Sequence, residues 1–436
     1  MAISIIKWKN LLLSGSLALG LIPFTLLHPQ SSSYKPARID PNTISIEREA
    51  FRKHLRENII KKNLELPLTD STEEKWKGAY WACELSYFRD TLVIKSLKEA
   101  LRQYSLRSNE FNRASLEAVY TLYPSGFEKE LDELLQTTTI PKHFALGAEY
   151  IFRSAPNKEQ SKEDLLKLMM KKFPFWQKDP ILLMLNQRLN GKETALPPVR
   201  DLLNHSYWKG RTVIFSFQRK DRNYEGLTVI MGPDGRFQKD STGNIFYIHQ
   251  LARALSNLPG YLTNGNTPAG IYTVIKIDTS DNRFIGSTPF ILTALPFEAD
   301  PGVFFKDTSL VNVPWSKSLY AKLLPESWQD FFPAYQTYYA GMAGRSEIVM
   351  HGTTIDPEFY KSYPFYPNTP SLGCITSKEI YSPENGKLIL SDQQKLIDSF
   401  ITSYNKEAFL IVIELDDKQA RVDIDEIMPL IYDSEK

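Results

Sequence analysis

Apolar positions recur at helical spacing through the first half of the chain. Phe51, Leu55 and Ile59 fall four apart, as do Leu97 and Leu101. Further stripes are Phe127, Leu131, Leu134 and Leu135, then Leu165, Leu168 and Met169. This pattern predicts helices from Arg48 to about Asn190. Pro124-Ser125-Gly126 and Pro141 break them, and Ser161 with Asp164 reads as a capping box opening the last. Ser115-Leu116-Glu117-Ala118-Val119-Tyr120 resembles Ala145-Leu146-Gly147-Ala148-Glu149-Tyr150 about 30 residues on, and each copy precedes a break and an amphipathic helix. A stacked helical repeat with a binding face is one reading; an ordinary bundle with a chance match is the other.

After about Leu203 the texture turns to short β-branched and aromatic runs. Thr212-Val213-Ile214-Phe215 and Leu227-Thr228-Val229-Ile230-Met231 predict strands, the second closed by the turn Gly232-Pro233-Asp234-Gly235. Leu251, Leu255 and Leu258 predict a short helix. More strands are expected at residues 271–277, 290–293, 348–350 and 409–415. The fold class is therefore α+β: an all-helical, repeat-like N-terminal domain over residues 41–203, a β-rich domain over 204–416, and an appendage over 417–436. The boundary falls between Pro197 and Lys209.

The N-terminus adds a compartment. Lys7 and Lys9 precede an apolar run over residues 11–27, and a Ser/Pro stretch follows, as in an export signal or signal anchor. Residues 1–40 are read as this segment plus a linker, and the body is placed outside the cytoplasm, in the periplasm or cell envelope, with membrane anchoring through residues 11–27. Composition mainly excludes. Lys+Arg number 52 and Asp+Glu 51, which argues against nucleic acid as a partner. The only cysteines are Cys83 and Cys374, and the six histidines are scattered, so a metal is not expected. A Cys83–Cys374 disulfide is a minor alternative.

The chemistry concentrates late in the chain. A strand ends in His351-Gly352, a Pro- and Tyr-rich loop of about 20 residues follows, and Ser371-Leu372-Gly373-Cys374-Ile375-Thr376 presents a thiol. A cysteine nucleophile needs a base or cation nearby, and His351 is the histidine within reach. Glycine before the thiol lets the backbone approach a substrate carbonyl.

His-Gly followed by Ser-x-Gly-Cys resembles the signature of the L,D-transpeptidase (YkuD-type) catalytic domain. Asn266-Thr267-Pro268-Ala269-Gly270-Ile271-Tyr272 is similar to the Thr-Pro-x-Gly segment that precedes it there. The three motifs stand in the family's order and cover about half the chain. The resemblance implies a mostly β catalytic domain and a thioester acyl-enzyme formed on peptidoglycan stem peptides. It implies Cys374 as nucleophile and His351 as base, Gly373 and Ser371 at the oxyanion and turn positions, and Gly352, Thr376 and Tyr339 as substrate contacts. No cofactor is implied. Crosslinking, exchange or attachment follows with an amine acceptor, and L,D-carboxypeptidase activity with water. A non-catalytic wall-binding protein with a decayed site is the alternative from another class, and the helical half could bind a protein partner. A thiolate held by His351 should then be alkylated faster than an ordinary cysteine. The chain departs from the family at Leu372, where many members carry His, and at Thr376-Ser377, where most carry Arg or Asn. The aromatic insertion between Pro289 and Ser346 reads as a lid or second wall.

Overall fold

The computed structural model describes residues 39–191 and 194–434. The signal segment lies outside them. Among the described residues no helix is long and apolar enough to cross a membrane.

The first half is helical. It comprises α1 (Ser45–His54), α2 (Glu73–Ser86), α3 (Thr91–Arg102), α4 (Asn109–Leu122), α5 (Glu128–Thr137), α6 (Pro141–Ser154), α7 (Lys158–Lys172) and α8 (Pro180–Asn190). Pro141 sits in the first turn of α6, where its missing N–H costs nothing. Helix α7 starts four residues earlier than the Ser161 box predicts. The side chain of Asn157 accepts from the amide of Gln160 and caps it, and Ser161 lies inside. The two similar segments occupy α4 and α6, and both bury their inner faces in one core.

The chain then passes through α9 (Val199–Leu203) into strands β1 (Thr212–Gln218), β2 (Gly226–Met231), β3 (Ile248–Leu251), β4 (Gly270–Asp278), β5 (Phe290–Ala294), β6 (Val349–Gly352), β7 (Ile375–Ser377), β8 (Glu379–Tyr381), β9 (Leu388–Ser391) and β10 (Ala408–Glu414). Eight of them close a barrel in the order β1-β10-β4-β5-β6-β7-β3-β2, and β8 with β9 forms a separate pair. The β1–β10 and β6–β7 pairs are parallel and the others antiparallel. Mixed α+β architecture is therefore established, as is the change from helices to strands near residue 204. The helix expected over Leu251, Leu255 and Leu258 is absent. Leu251 ends β3, and Leu255 and Leu258 are loop residues buried in the helical core. Their helical spacing reflects a face shared with the helices, since burial on one side is all that periodicity records.

Strand residues alternate between two further cores. Phe215, Phe217, Ile271, Phe409 and Ile411 face one that holds α9, α12 (Ile424–Ser434) and the aromatic insertion. There Phe304, Phe305, Tyr320, Trp328 and Tyr335 are buried. These buried side chains make part of the insertion core rather than lid. Ile214, Ile230, Tyr272, Met350 and Ile375 face the other, against α11 (Asp392–Ser403), the helix that follows α10 (Gln336–Met342) in the chain. The helical half reaches into the barrel's loops. The hydroxyl of Tyr87 donates to Leu255 O at 2.8 Å, and that of Tyr360 to Leu85 O at 2.6 Å. The Tyr/Pro loop therefore ties the two halves together: Tyr360 and Phe365 are buried, and Tyr363 packs on Tyr87 at 5.0 Å.

Candidate active site

Parallel pairing of β6 with β7 puts His351 opposite Thr376 and Met350 opposite Ile375. Extending the register by one residue puts Cys374 opposite Val349. Since alternate residues share a face, His351 and Cys374 lie on the side away from Met350 and Ile375. His351 and Cys374, 23 residues apart in the chain, are thus brought onto neighbouring strands of the sheet.

The thiol rests on the start of β6. Its Sγ donates to Glu347 O at 3.6 Å and takes the amide of Val349. Glu347 has φ 61°, a strained value for a residue with a side chain. The carboxylate of Glu298 accepts its amide at 2.8 Å and holds it there. Burial pushes the Cys374 thiol up to about 11, opposed by the amide of Val349 and the charge of Arg345. Burial also pulls the His351 imidazole down to about 4, opposed by the carbonyl of Gly352. Thiol and imidazole are therefore both neutral near pH 7, and no hydrogen bond joins them. The Nδ1 of His351 lies 2.7 Å from Gly352 O. A carbonyl only accepts, so Nδ1 carries the proton and Nε2 keeps its lone pair, the tautomer a general base requires. Rapid alkylation at neutral pH, expected of a preformed thiolate, does not follow from this arrangement.

Ser371 fastens the turn before the thiol. Its Oγ donates to Cys374 O at 2.9 Å and accepts the amide of Gly373 at 3.0 Å. The Gly373 amide is thereby occupied, and an oxyanion role falls to the amide of Cys374. Gly373 has φ 118°, and a Cβ there would sit 2.1 Å from a guanidinium nitrogen of Arg345. Glycine is required on both counts. Arg345, which the sequence reads as a solvated charge near the His351 strand, is buried instead. It is 7% exposed and donates to Gly260 O at 2.5 Å and Asn266 O at 2.9 Å, and it has no carboxylate partner among the described residues. Burial lowers it to about 10, so it stays charged at neutral pH beside the thiol. The positive charge beside the thiol comes from the loop before β6. No fixed spacing to the cysteine marks it in the sequence.

The remaining residues divide. Thr267 donates to Gly373 O at 2.8 Å and so braces the thiol's turn from the Thr-Pro-x-Gly segment. Thr376 is fully buried, with its hydroxyl on Thr369 O at 2.8 Å. Gly352 passes so close to the carboxyl group of Glu379 that a Cβ would lie 2.2 Å from it. Tyr339 stacks on Phe332 at 5.4 Å, between two of the cores. The structure does not bring these three to the thiol by any hydrogen bond. Cys83 and Cys374 are both free thiols. Among the described residues no cluster of His, Cys, Asp and Glu could hold a metal.

A cavity of about 660 Å³ opens between the helical half and the barrel. Gly260, Asn266 and Thr267, which hold Arg345 and Gly373 from one side, line it on the other. Cys374 does not line it.

The chain matches no protein-family model, no curated protein and no solved structure.

Proposed function

We propose that the protein is an exported cysteine acyltransferase of the L,D-transpeptidase type, acting on peptidoglycan stem peptides. The observation that supports this reading most is the β6–β7 register, which sets a strand-end histidine in its base tautomer beside a braced Ser-x-Gly-Cys turn. In this reading Sγ of Cys374 attacks the carbonyl carbon after the third stem residue while Nε2 of His351 takes the thiol proton. The amide of Cys374 and the charge of Arg345 stabilise the negative charge that develops. The C–N bond then breaks, the imidazolium returns its proton to the departing amine of D-Ala, and a thioester remains. An acceptor amine attacks that thioester, passes a proton through His351 to Sγ, and regenerates the thiol. Water in place of the amine makes the reaction a carboxypeptidation. Because thiol and base start neutral, proton transfer accompanies attack rather than preceding it.

The neutral, half-buried thiol favours one competing reading, a wall-binding protein whose site has lost its chemistry. Mass spectrometry of a disaccharide tetrapeptide incubated with the protein, with and without D-Met, separates the two. Loss or exchange of D-Ala is expected, and Cys374→Ala should reduce it by about 10⁴-fold or more. An unchanged peptide, or a fully active Cys374→Ala, ends the catalytic reading.

A further inference from the structure

The cavity between the halves is unevenly charged. On the helical side, Arg188 donates through Nε to Glu149 at 2.8 Å. Glu149 is fully buried, and its other oxygen takes the hydroxyl of Tyr261 at 2.9 Å. The guanidinium is thereby fixed, while its two terminal nitrogens have no partner among the described residues and 47% of the side chain remains accessible. Arg153 lies over the ring of Tyr120 at 3.8 Å and donates to Tyr123 O at 3.0 Å. Its Nε is buried without a partner, and no carboxylate among the described residues pairs with it. Both arginines line the cavity together with Tyr120. On the barrel side, Arg222 pairs with Glu414 at 2.8 Å and Lys220 stands next to Asp221 on the wall, so the two signs balance there. Phe152, Met184 and Phe331 lie on the cavity wall as apolar surface.

We propose that this cavity binds a short peptide through a free carboxylate, seated between Arg153 and Arg188. A held guanidinium with unpartnered terminal N–H groups matches a carboxylate without reorganisation. A cavity of this volume suits a ligand of a few residues. The choice of peptide rests on the stem-peptide reading above, whereas the anion seat stands on the arginines alone. Bound ligand would touch Gly260, Asn266 and Thr267, the residues that hold Arg345 and the Cys374 turn, so occupancy of the cavity bears on the thiol without reaching it.

The test is calorimetric titration of the full chain carrying Cys374→Ala, which blocks turnover. The probes are a stem tetrapeptide containing diaminopimelate, and the same peptide with its carboxylates amidated. Amidation should weaken binding at least tenfold. So should Arg153→Gln, and so should the paired change Glu149→Gln with Arg188→Gln, which leaves no lone buried charge. Circular dichroism confirms that each variant is folded. If both variants bind like their parent, or if no peptide binds, the proposal fails. If inorganic phosphate binds through Arg153 and the peptide does not, the peptide occupant is wrong. Arginine-dependent binding with no transfer product from the intact protein would support the cavity and overturn the catalytic reading. Transfer with arginine-independent binding would do the reverse.

Discussion

His143 in the helical half and His351 in the barrel have the same electrostatic fate and opposite wiring. Each is nearly inaccessible, and burial pulls each down to about 4. His143 uses both ring nitrogens. Nε2 donates to Asn109 O at 3.1 Å, and Nδ1 accepts the hydroxyl of Tyr104 at 2.7 Å, tying α6 to α4 and to the turn before it. His351 uses one and keeps the other. A depressed pKa therefore does not separate these two rings; the second nitrogen that His351 leaves unbonded does.

The sharpest way to break this comparison is to remove each ring. His351→Ala should lower D-Ala exchange by about 10²–10⁴-fold, the usual range for a general base, with a modest effect on thermal midpoint. His143→Gln should leave exchange within about threefold and lower the midpoint. Equal losses of exchange in both, measured by mass spectrometry, would make His351 another structural histidine. The acid limb of the rate profile should lie near pH 4, with a plateau through neutrality, because the base is the neutral imidazole.

Acid stability is next in size and should treat the two alike. An unfolded histidine titrates near 6.5, so between about pH 6.5 and pH 4 the unfolded chain binds more protons than the folded one. Stability from each ring is full above that window and is lost as pH falls through it. A depression of this size corresponds to about 3 kcal/mol per ring. Urea midpoints at pH 7, 5.5 and 4 should fall steeply in the parent and less steeply in either His143→Gln or His351→Gln. Identical slopes in all three proteins would mean that neither ring is buried neutral.

The same contrast explains what could be read without coordinates. Strands at β1, β2, β4, β5, β6 and β10 were legible because burial of both faces leaves β-branched and aromatic residues in short continuous runs between turns, as with Gly232-Pro233-Asp234-Gly235. The thiol, the imidazole and their glycine were legible because the β6–β7 pair needs them close to strand ends. Arg345 was not, since its role comes from threading a guanidinium between Gly260, Asn266 and Gly373, which no spacing encodes. Arg153, Arg188 and Glu149 were hidden in the same way: on α6 and α8 they read as ordinary helix charges until the barrel closes over them. The leucines at 251, 255 and 258 show the converse error, a shared buried face mistaken for a helix.

The smallest effect tests whether the barrel site is held as firmly as the His143 joint. Ser371 joins Gly373 N and Cys374 O through one oxygen, at 3.0 and 2.9 Å. Ser371→Ala removes both bonds, and the loss of one hydrogen-bonding side chain should cost about 1 kcal/mol of stability. If the turn positions the thiol, D-Ala exchange should fall by about tenfold with little change in substrate KM, since misplacement affects the attack rather than the binding. Ser371→Thr, which restores the oxygen, should recover most of the rate. A Ser371→Ala protein that loses stability but exchanges D-Ala at the parental rate would reduce this serine to the standing of Tyr104 beside His143, a joint in the fold with no part in placing the thiol.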